Sequence, residues 1–330
     1  MKKALSLILV LIMVFSMVAC GSSSDSGSSD GGSSRGNVIM TFGTADTGGS
    51  MYPAGAAVSQ VWTNNVEGVK CNTQTSTGSF QNCQDVASGE VDVAVATADV
   101  VLNAYNGTGK FADIGALDNL RVIGAVYTSV LCGVTLADSG ITYIHDLLGK
   151  RVAVGPAASA TENASLAAFD VMGITAENTS LENLGLGDGA DSVGDGILDA
   201  AFGFAGLPIG GQLNLAATKD IHVLDMTQDE IDKVLAGNAA YIQTTIPAGT
   251  YTGQETDSNS FGVKCLIIVS ADMDADLVYD LCKAMNEHTE EMAAGNALLK
   301  DMTDPSFLCT QMPIELHEGA QKYYSEQGLI

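Results

Sequence analysis

Downstream of residue 36, short apolar runs alternate with amphipathic stretches in a regular order. Residues 38–42 read as a strand, 53–65 as a helix, 69–75 as a strand, 80–88 as a helix and 91–96 as a strand. Such β-α-β alternation predicts a mostly parallel sheet covered by helices. Residues 120–136 form a longer apolar strand, long enough to leave one domain and enter another. A second series follows, with a short helix at 144–148, a strand at 151–155, a helix at 162–172, strands at 197–202 and 221–224, and a helix at 228–236. Residues 261–270 are again apolar and β-like and carry the chain back to the first domain; helices at 275–294, near Leu298 and at 315–326 complete it. The pattern predicts an α/β protein of two Rossmann-like lobes with a ligand cleft between them. Lobe 1 takes residues 37–130 and 244–330, and lobe 2 takes 131–243. In such sheets a ligand sits beyond the carboxyl ends of the strands, where loops of the two lobes face each other.

The first 36 residues follow a different pattern. Lys2 and Lys3 precede an apolar run at 4–18, broken only by Ser6 and Ser16, and Met17-Val18-Ala19-Cys20-Gly21 closes it. Ser, Gly and Asp almost fill the chain from there to Arg35 and Gly36. An apolar run of about 15 residues behind two lysines suits a secretory signal and is short for a membrane span of roughly 20. Small residues running into Cys20 resemble a bacterial lipoprotein signal, with Met17 standing where that pattern usually has Leu. On that reading 1–19 is a signal peptide, Cys20 is lipidated, and 20–36 is a Ser/Gly-rich tether holding an extracytoplasmic protein to the bacterial cell membrane. An uncleaved anchor with an incidental cysteine is the other reading.

Charge narrows the partners. Thirty-nine acidic residues against 14 basic ones give a net charge of −25, so nucleic acid and anionic lipid surfaces should both repel the chain. Beyond Cys20 there are six cysteines, at 71, 83, 132, 265, 282 and 309, several of them inside apolar runs. There a free cysteine behaves as a small hydrophobe, so mostly buried thiols are expected, although an even count in a secreted protein also permits disulfides. No cysteine or histidine spacing suggests a zinc site, and no cofactor or metal is expected. The histidines (His145, His222, His288, His317) fall away from the candidate loops, and nucleophile-elbow, phosphate-loop and His-Glu-x-x-His motifs are missing, which points away from an enzyme. Asp188, Asp191 and Asp195 lack the spacing of a calcium loop and read as a solvated loop or helix face, while Asp199 falls inside the proposed strand at 197–202.

Three strand-to-helix turns, at 43–53, 75–82 and 155–162, place Gly and hydroxyl residues just before a helix. Helix N-termini present unpaired N–H groups and a positive dipole end, which attract anions without a cationic side chain. Cationic clamps are scarce, since the arginines are only Arg35, Arg121 and Arg151. A small anionic ligand would therefore be held by backbone N–H, Ser, Thr and Tyr groups. Taken singly, each turn also reads as an ordinary helix cap.

At these residues the chain resembles the TAXI family of TRAP-transporter substrate-binding receptors, over nearly everything after the tether. The marks are Gly48-Gly49-Ser50-Met51-Tyr52-Pro53, Ser76-Thr77-Gly78-Ser79 with Asn82, Ala87-Ser88-Gly89-Glu90-Val91-Asp92, Asp199-Ala200, and Gly206 with Pro208. The segments 146–156, 246–253 and 316–326 add to it. The resemblance implies a type II periplasmic-binding-protein architecture and a monomeric receptor that passes a small carboxylate, such as glutamate or a dicarboxylate, to a TRAP-type membrane permease. It implies ligand contacts from Thr47, Gly48, Gly49, Ser50, Tyr52, Ser76, Thr77, Gly78, Ser79 and Thr97 on one lobe. Ser159, Thr161, Phe204 and Gly206 would serve from the other, with Tyr127 near the hinge; the two tyrosines read equally as packing aromatics. The chain departs from the family at Ala157-Ala158, where Pro-Gly is usual, and at Thr97-Ala98-Asp99, where Gln-Ser/Asn-Asp is frequent. The alternatives are a sensory or ABC-type receptor for another solute, such as a heterocyclic precursor, and an enzyme on the same bilobal fold.

Overall fold

The computed structural model describes residues 36–47 and 49–330; the signal, Cys20, the tether up to residue 35, and Gly48 lie outside the described residues. The first series runs β1 (Val38–Gly43), α1 (Met51–Asn65), β2 (Val69–Gln74), α2 (Ser79–Ser88), β3 (Val93–Thr97) and α3 (Ala98–Asn106), followed by the long β4 (Leu120–Leu136). The second runs β5 (Arg151–Ala153), α4 (Ala160–Val171), β6 (Ser180–Glu182), α5 (Leu186–Gly194), β7 (Ala200–Ala205), α6 (Gly210–Ala216), β8 (Ile221–Val223) and α7 (Gln228–Gly237). Then come β9 (Ile242–Ile246), β10 (Ser258–Ser270), α8 (Ala275–Glu287), α9 (Thr289–Gly295), α10 (Pro305–Cys309) and α11 (Glu318–Glu326). None of the described helices is long and apolar enough to cross a membrane.

The strands form one sheet in the order β2-β1-β3-β10-β4-β7-β5-β6, with β8 also pairing β4 and β9 also pairing β10. β1 runs parallel to β2 and β3, and β5 runs parallel to β6 and β7. The centre differs from the mostly parallel sheet expected. β10 is antiparallel to β3, β4 and β9, and β4 is antiparallel to β7 and β8. A chain that leaves along one central strand and returns along its neighbour must run the two in opposite directions. The early residues of β4 pair with β10, and the later ones, from Val130, pair with β7 and then β8, so β4 joins the two halves of the sheet. Both long strands are almost wholly buried, which is why each reads as a near-continuous apolar run.

Each half has its own core. Met40, Phe42, Trp62, Ile267 and Tyr324 pack on the first, and Val134, Ala153, Val193, Ala201 and Tyr251 on the second. A further cluster that includes Val86, Ala96, Phe169, Phe202 and Phe261 draws on both. The six described cysteines are free and buried. Burial pushes the thiol of Cys71 up to about 11 and those of Cys132 and Cys265 up to about 12.

Of the two readings of the acidic segment at 188–195, the solvated helix face holds: Leu186, Ala190 and Val193 share a buried face while Asp188 and Asp191 face solvent. Two other expected elements change. The strand expected at 197–202 starts at Ala200, and Asp199 stands just before it, bound to the backbone N–H and guanidinium of Arg151. The single helix expected at 275–294 breaks at His288, whose φ of −116° and ψ of 20° leave the helical region. The polar run Asn286-Glu287-His288-Thr289 offers the backbone competing side-chain partners there, and Thr289 Oγ1 donates to the Asn286 carbonyl.

Candidate functional site

The carboxyl ends of β1 and β2 from one half and of β7 from the other converge with the start of α4 on a cavity of about 50 Å³. Its wall is built from the turn after β1 (Ala45, Asp46, Gly49, Ser50, Met51), the turn after β2 (Thr77, Gly78, Ser79), Pro156, Ser159, Ala160 and Thr161 before and within α4, and Phe204 and Ala205 of β7. Tyr127 of β4 and Leu186 of α5 complete it.

Nine of the fifteen residues proposed from the sequence are therefore on the wall: Gly49, Ser50, Thr77, Gly78, Ser79, Tyr127, Ser159, Thr161 and Phe204. Thr47 and Gly206 instead line a neighbouring hollow of about 430 Å³, shared with Ser50 and Gly49. Ser76 stands behind the second turn, its hydroxyl donating to the Thr44 carbonyl and accepting the Gly78 N–H. Thr97 lies behind Ser79 and donates its N–H to the Ser79 hydroxyl at 3.1 Å. Tyr52 is half-buried in the first turn of α1 and off the wall, and Gly48 lies outside the described residues. Ala45, Asp46, Met51, Pro156 and Ala160 lie within the turns at 43–53 and 155–162 that the sequence marks, though they were not named as contacts, and Ala205 sits between Phe204 and Gly206; Leu186, from α5, lies outside all of these segments.

The local backbone explains the shape. Gly78 holds φ 113° and ψ −157°, a conformation open essentially to glycine, and so starts α2 abruptly at Ser79. Ala158 holds φ 58°, the left-handed region. Its N–H donates to Glu162 at 2.8 Å, which offsets part of the strain. Asn82, fully buried in α2, donates to the carbonyls of Thr44 and Val95 and so ties the ends of β1 and β3 to that helix.

Electrostatically the wall favours an anion. α1 and α2 begin without a side-chain cap, so their positive ends and free first-turn N–H groups remain for a ligand. α4 differs, since Ser159 caps the Glu162 N–H and the Glu162 carboxylate sits on the same turn. Burial pushes the Glu162 carboxyl up, but Lys110, the Ala158 N–H and Asn183 together hold it below the usual range. Ser79, Ser159 and Thr161 each accept a backbone N–H, from Thr97, Glu162 and Phe204 respectively, at 3.1–3.2 Å. A hydroxyl used this way keeps its own proton to donate. Tyr127 is buried with Cys265 and Ser129 beside its hydroxyl, and burial pushes that hydroxyl well above its usual range. Among the described residues no Lys or Arg lines the cavity, and Asp46 stands at its exposed mouth. Lys110 is engaged with Glu162, and the described arginines lie at the starts of β4 and β5, Arg121 on the Asp118 and Leu120 carbonyls and Arg151 on Asp199. Among the described residues no cluster of three or more His, Cys, Asp or Glu side chains is placed to hold a metal ion.

Contacts also cross the cleft outside the cavity. Ser50 donates to the Gly206 carbonyl at 3.1 Å, and Lys110 pairs with Glu162. Asp99, at the start of α3 and fully buried, accepts from Asn163 of α4 at 2.7 Å and from the Tyr241 hydroxyl at 2.9 Å. Burial pushes its carboxyl above the usual range despite these donors.

Among solved structures, the chain is similar to the periplasmic aliphatic sulphonate binding protein SsuA from Escherichia coli. The identity is 13% and the TM-score 0.47, over 88% of this chain and 87% of that one. It is similar to the alkanesulfonate-binding protein SsuA from Xanthomonas axonopodis pv. citri at 14% identity and a TM-score of 0.48, over 89% and 84% of the two chains. The amino acid ABC transporter substrate-binding protein AbpA from Streptococcus pneumoniae matches at 14% identity and a TM-score of 0.46, over 81% and 94%. A protein-family model matches residues 42–328, the whole of the sheet but for the first residues of β1, and on that match the chain belongs to the NMT1-like family.

Proposed function

We propose that this protein is a non-enzymatic, extracytoplasmic solute receptor that captures a small carboxylate in the cleft and delivers it to a membrane permease. One observation carries the reading: two uncapped helix N-termini and three proton-donating hydroxyls meet at a single cavity whose wall has no cation. Fixed backbone dipoles of this kind bind an anion without the desolvation cost of a buried lysine or arginine. On this reading the lobes are 37–130 with 244–330, and 131–243, and they hinge on β4 and β10. A solute touching both lobes stabilises the closed form, and the bonds from Ser50 to Gly206 and from Asn163 and Tyr241 to Asp99 help to hold it. The permease then reads the closed surface. The sequence marks of the TAXI receptors support a TRAP-type permease, and the Cys20 signal supports a lipid anchor.

A second reading on the same site, an ABC-type or sensory receptor for an uncharged heterocyclic solute, draws on the apolar wall of Met51, Leu186 and Phe204. A thermal-shift screen of the full chain against carboxylates and uncharged heterocycles separates the two. Stabilisation by carboxylates is the expected result; stabilisation by uncharged solutes alone would overturn the carboxylate reading.

A further inference from the structure

We infer that Gly206 is the point on which the first half of the receptor lands when the cleft closes, meeting Leu298 and Ser50 there, and that it does not touch the solute. This rests on the receptor reading above and deepens it. Gly206 thereby takes a role other than the ligand contact expected of it from the sequence.

The need for glycine at 206 is one of space. Its φ lies outside the left-handed region, so the backbone conformation does not call for glycine. The surroundings do. A Cβ there would overlap Leu298 Cδ1 outright and stand 3.1 Å from Tyr127 Cδ2 and 3.2 Å from Leu298 Cγ. Both neighbours belong to the first half. Leu298 lies between α9 and α10 and packs against the first core, and Thr128 of β4 donates to Asp301 at 3.1 Å, which ties that segment to β4. Tyr127 is fully buried in the same core and has little room to yield. Rotation of Leu298 about its last side-chain bond moves the Cδ atoms but leaves Cγ in place, so the methyl group stays crowded. Other crowded glycines of the second half differ: at Gly133, Gly203 and Gly211 a Cβ would meet atoms of that same half. Ser50, just before α1, adds a polar contact by donating to the Gly206 carbonyl at 3.1 Å.

Position gives this contact its leverage. Gly206 directly follows β7, whose last residue, Ala205, pairs with Val130 of β4, where the lobes of the receptor reading divide. Beside a pivot even a small separation calls for a large rotation, so a methyl group that cannot be seated at 206 holds the rim of the cleft open. Ser50 connects this point to the solute. It lines both the cavity and the neighbouring hollow, while Gly206 and Leu298 line the hollow alone. Closure thus seats Ser50 on Gly206, and a wedge at 206 lifts it off.

The test is small-angle scattering of the full chain without added solute, for the parent, Gly206→Ala, Leu298→Ala and the two combined. Gly206→Ala should have the larger radius of gyration, and the combination should return to the parent value, because Leu298→Ala removes the atoms that the methyl group strikes. Equal scattering from the parent and Gly206→Ala overturns the inference. So does an expansion that Leu298→Ala leaves uncorrected, the mark of a general packing defect. Calorimetric titration with L-glutamate, succinate and propionate is the second arm. Whichever binds the parent should bind Gly206→Ala about tenfold more weakly, the loss expected when the closed form falls to about a tenth of its former population, and affinity should return in the combined variant. Undiminished affinity in Gly206→Ala overturns the landing role. No binding of the three to the parent overturns the carboxylate reading, and the scattering alone then decides the landing role.

Discussion

Gly78→Ala is the substitution whose consequences the structure defines most closely. The Cβ it adds would lie 3.9 Å from Ser159, an ordinary contact, so nothing across the cleft objects to the methyl group itself. The cost is conformational. At φ 113° and ψ −157° an L-residue is held in a region used almost only by glycine, which costs about 1–3 kcal/mol. For a domain of this size that lowers Tm by about 2–6 °C, at about 2 °C per kcal/mol. If the turn relaxes instead, the first N–H groups of α2 rotate away from the cavity and ligand binding suffers. Differential scanning calorimetry with and without propionate reads both effects. A ligand at a hundred times its Kd contributes about 2.7 kcal/mol to the parent, and this ligand-induced shift should shrink in Gly78→Ala. Gly89→Ala is the matched control. Gly89 ends the same helix at φ 77° with open space around it, so it loses about 1–2 kcal/mol while keeping the full ligand shift. The reasoning fails if Gly78→Ala melts with the parent and keeps its shift, or if Gly89→Ala loses the shift as well.

Other substitutions test separate parts of the account. Asp99 has its carboxyl pushed up by burial, so its folded pKa exceeds the unfolded value near about 3.9. Its contribution is complete below that value and is lost as pH rises through the folded pKa. Melting curves at pH 4 and pH 7 should therefore move in favour of Asp99→Asn at the higher pH, and a constant difference between the two proteins would sink the argument. Ala158→Gly relieves a left-handed alanine, a cost of about 1–2 kcal/mol offset in part by the entropy of glycine; Tm should rise by about 1–2 °C, and a fall would show that the turn is not strained. Arg151→Met removes a solvent-exposed pair with Asp199 that water screens, so stability should change little. It should leave propionate affinity unchanged on titration, and a large loss would mean that the cleft draws on a cation after all.

The periodicity of the chain carried most of the fold. The span of β4 was legible to the residue, because 17 consecutive positions buried on nearly every side leave an unmistakable apolar run. The sheet was read as parallel because local alternation reports how neighbouring β-α units connect. It does not report that β4 and β10 pair with each other across 150 residues or so of sequence. α5 was only half legible: Leu186, Ala190 and Val193 have helical spacing, but the Gly and Asp residues between them read equally as a solvated loop or a helix face. At the site, the turns were visible because Gly and hydroxyl residues before a helix have a local meaning. What those hydroxyls do was not. Ser76 and Thr97 look like Ser79 in the sequence, yet they brace the turn from behind while Ser79 faces the cavity. Asp99 was noted only as the last residue of a triplet whose first two positions depart from the family pattern, and its role across the cleft depends on Asn163 and Tyr241, which are distant in sequence.

The central claim is that helix N-termini and hydroxyls, with no cationic side chain, hold an anion in the cleft. The most direct measurement is a calorimetric titration of the full chain with propionate and with propionamide, which match in shape and differ in charge. Propionate should bind and propionamide should not, and the preference should persist in Arg151→Met. Equal or tighter binding of the amide would contradict the account.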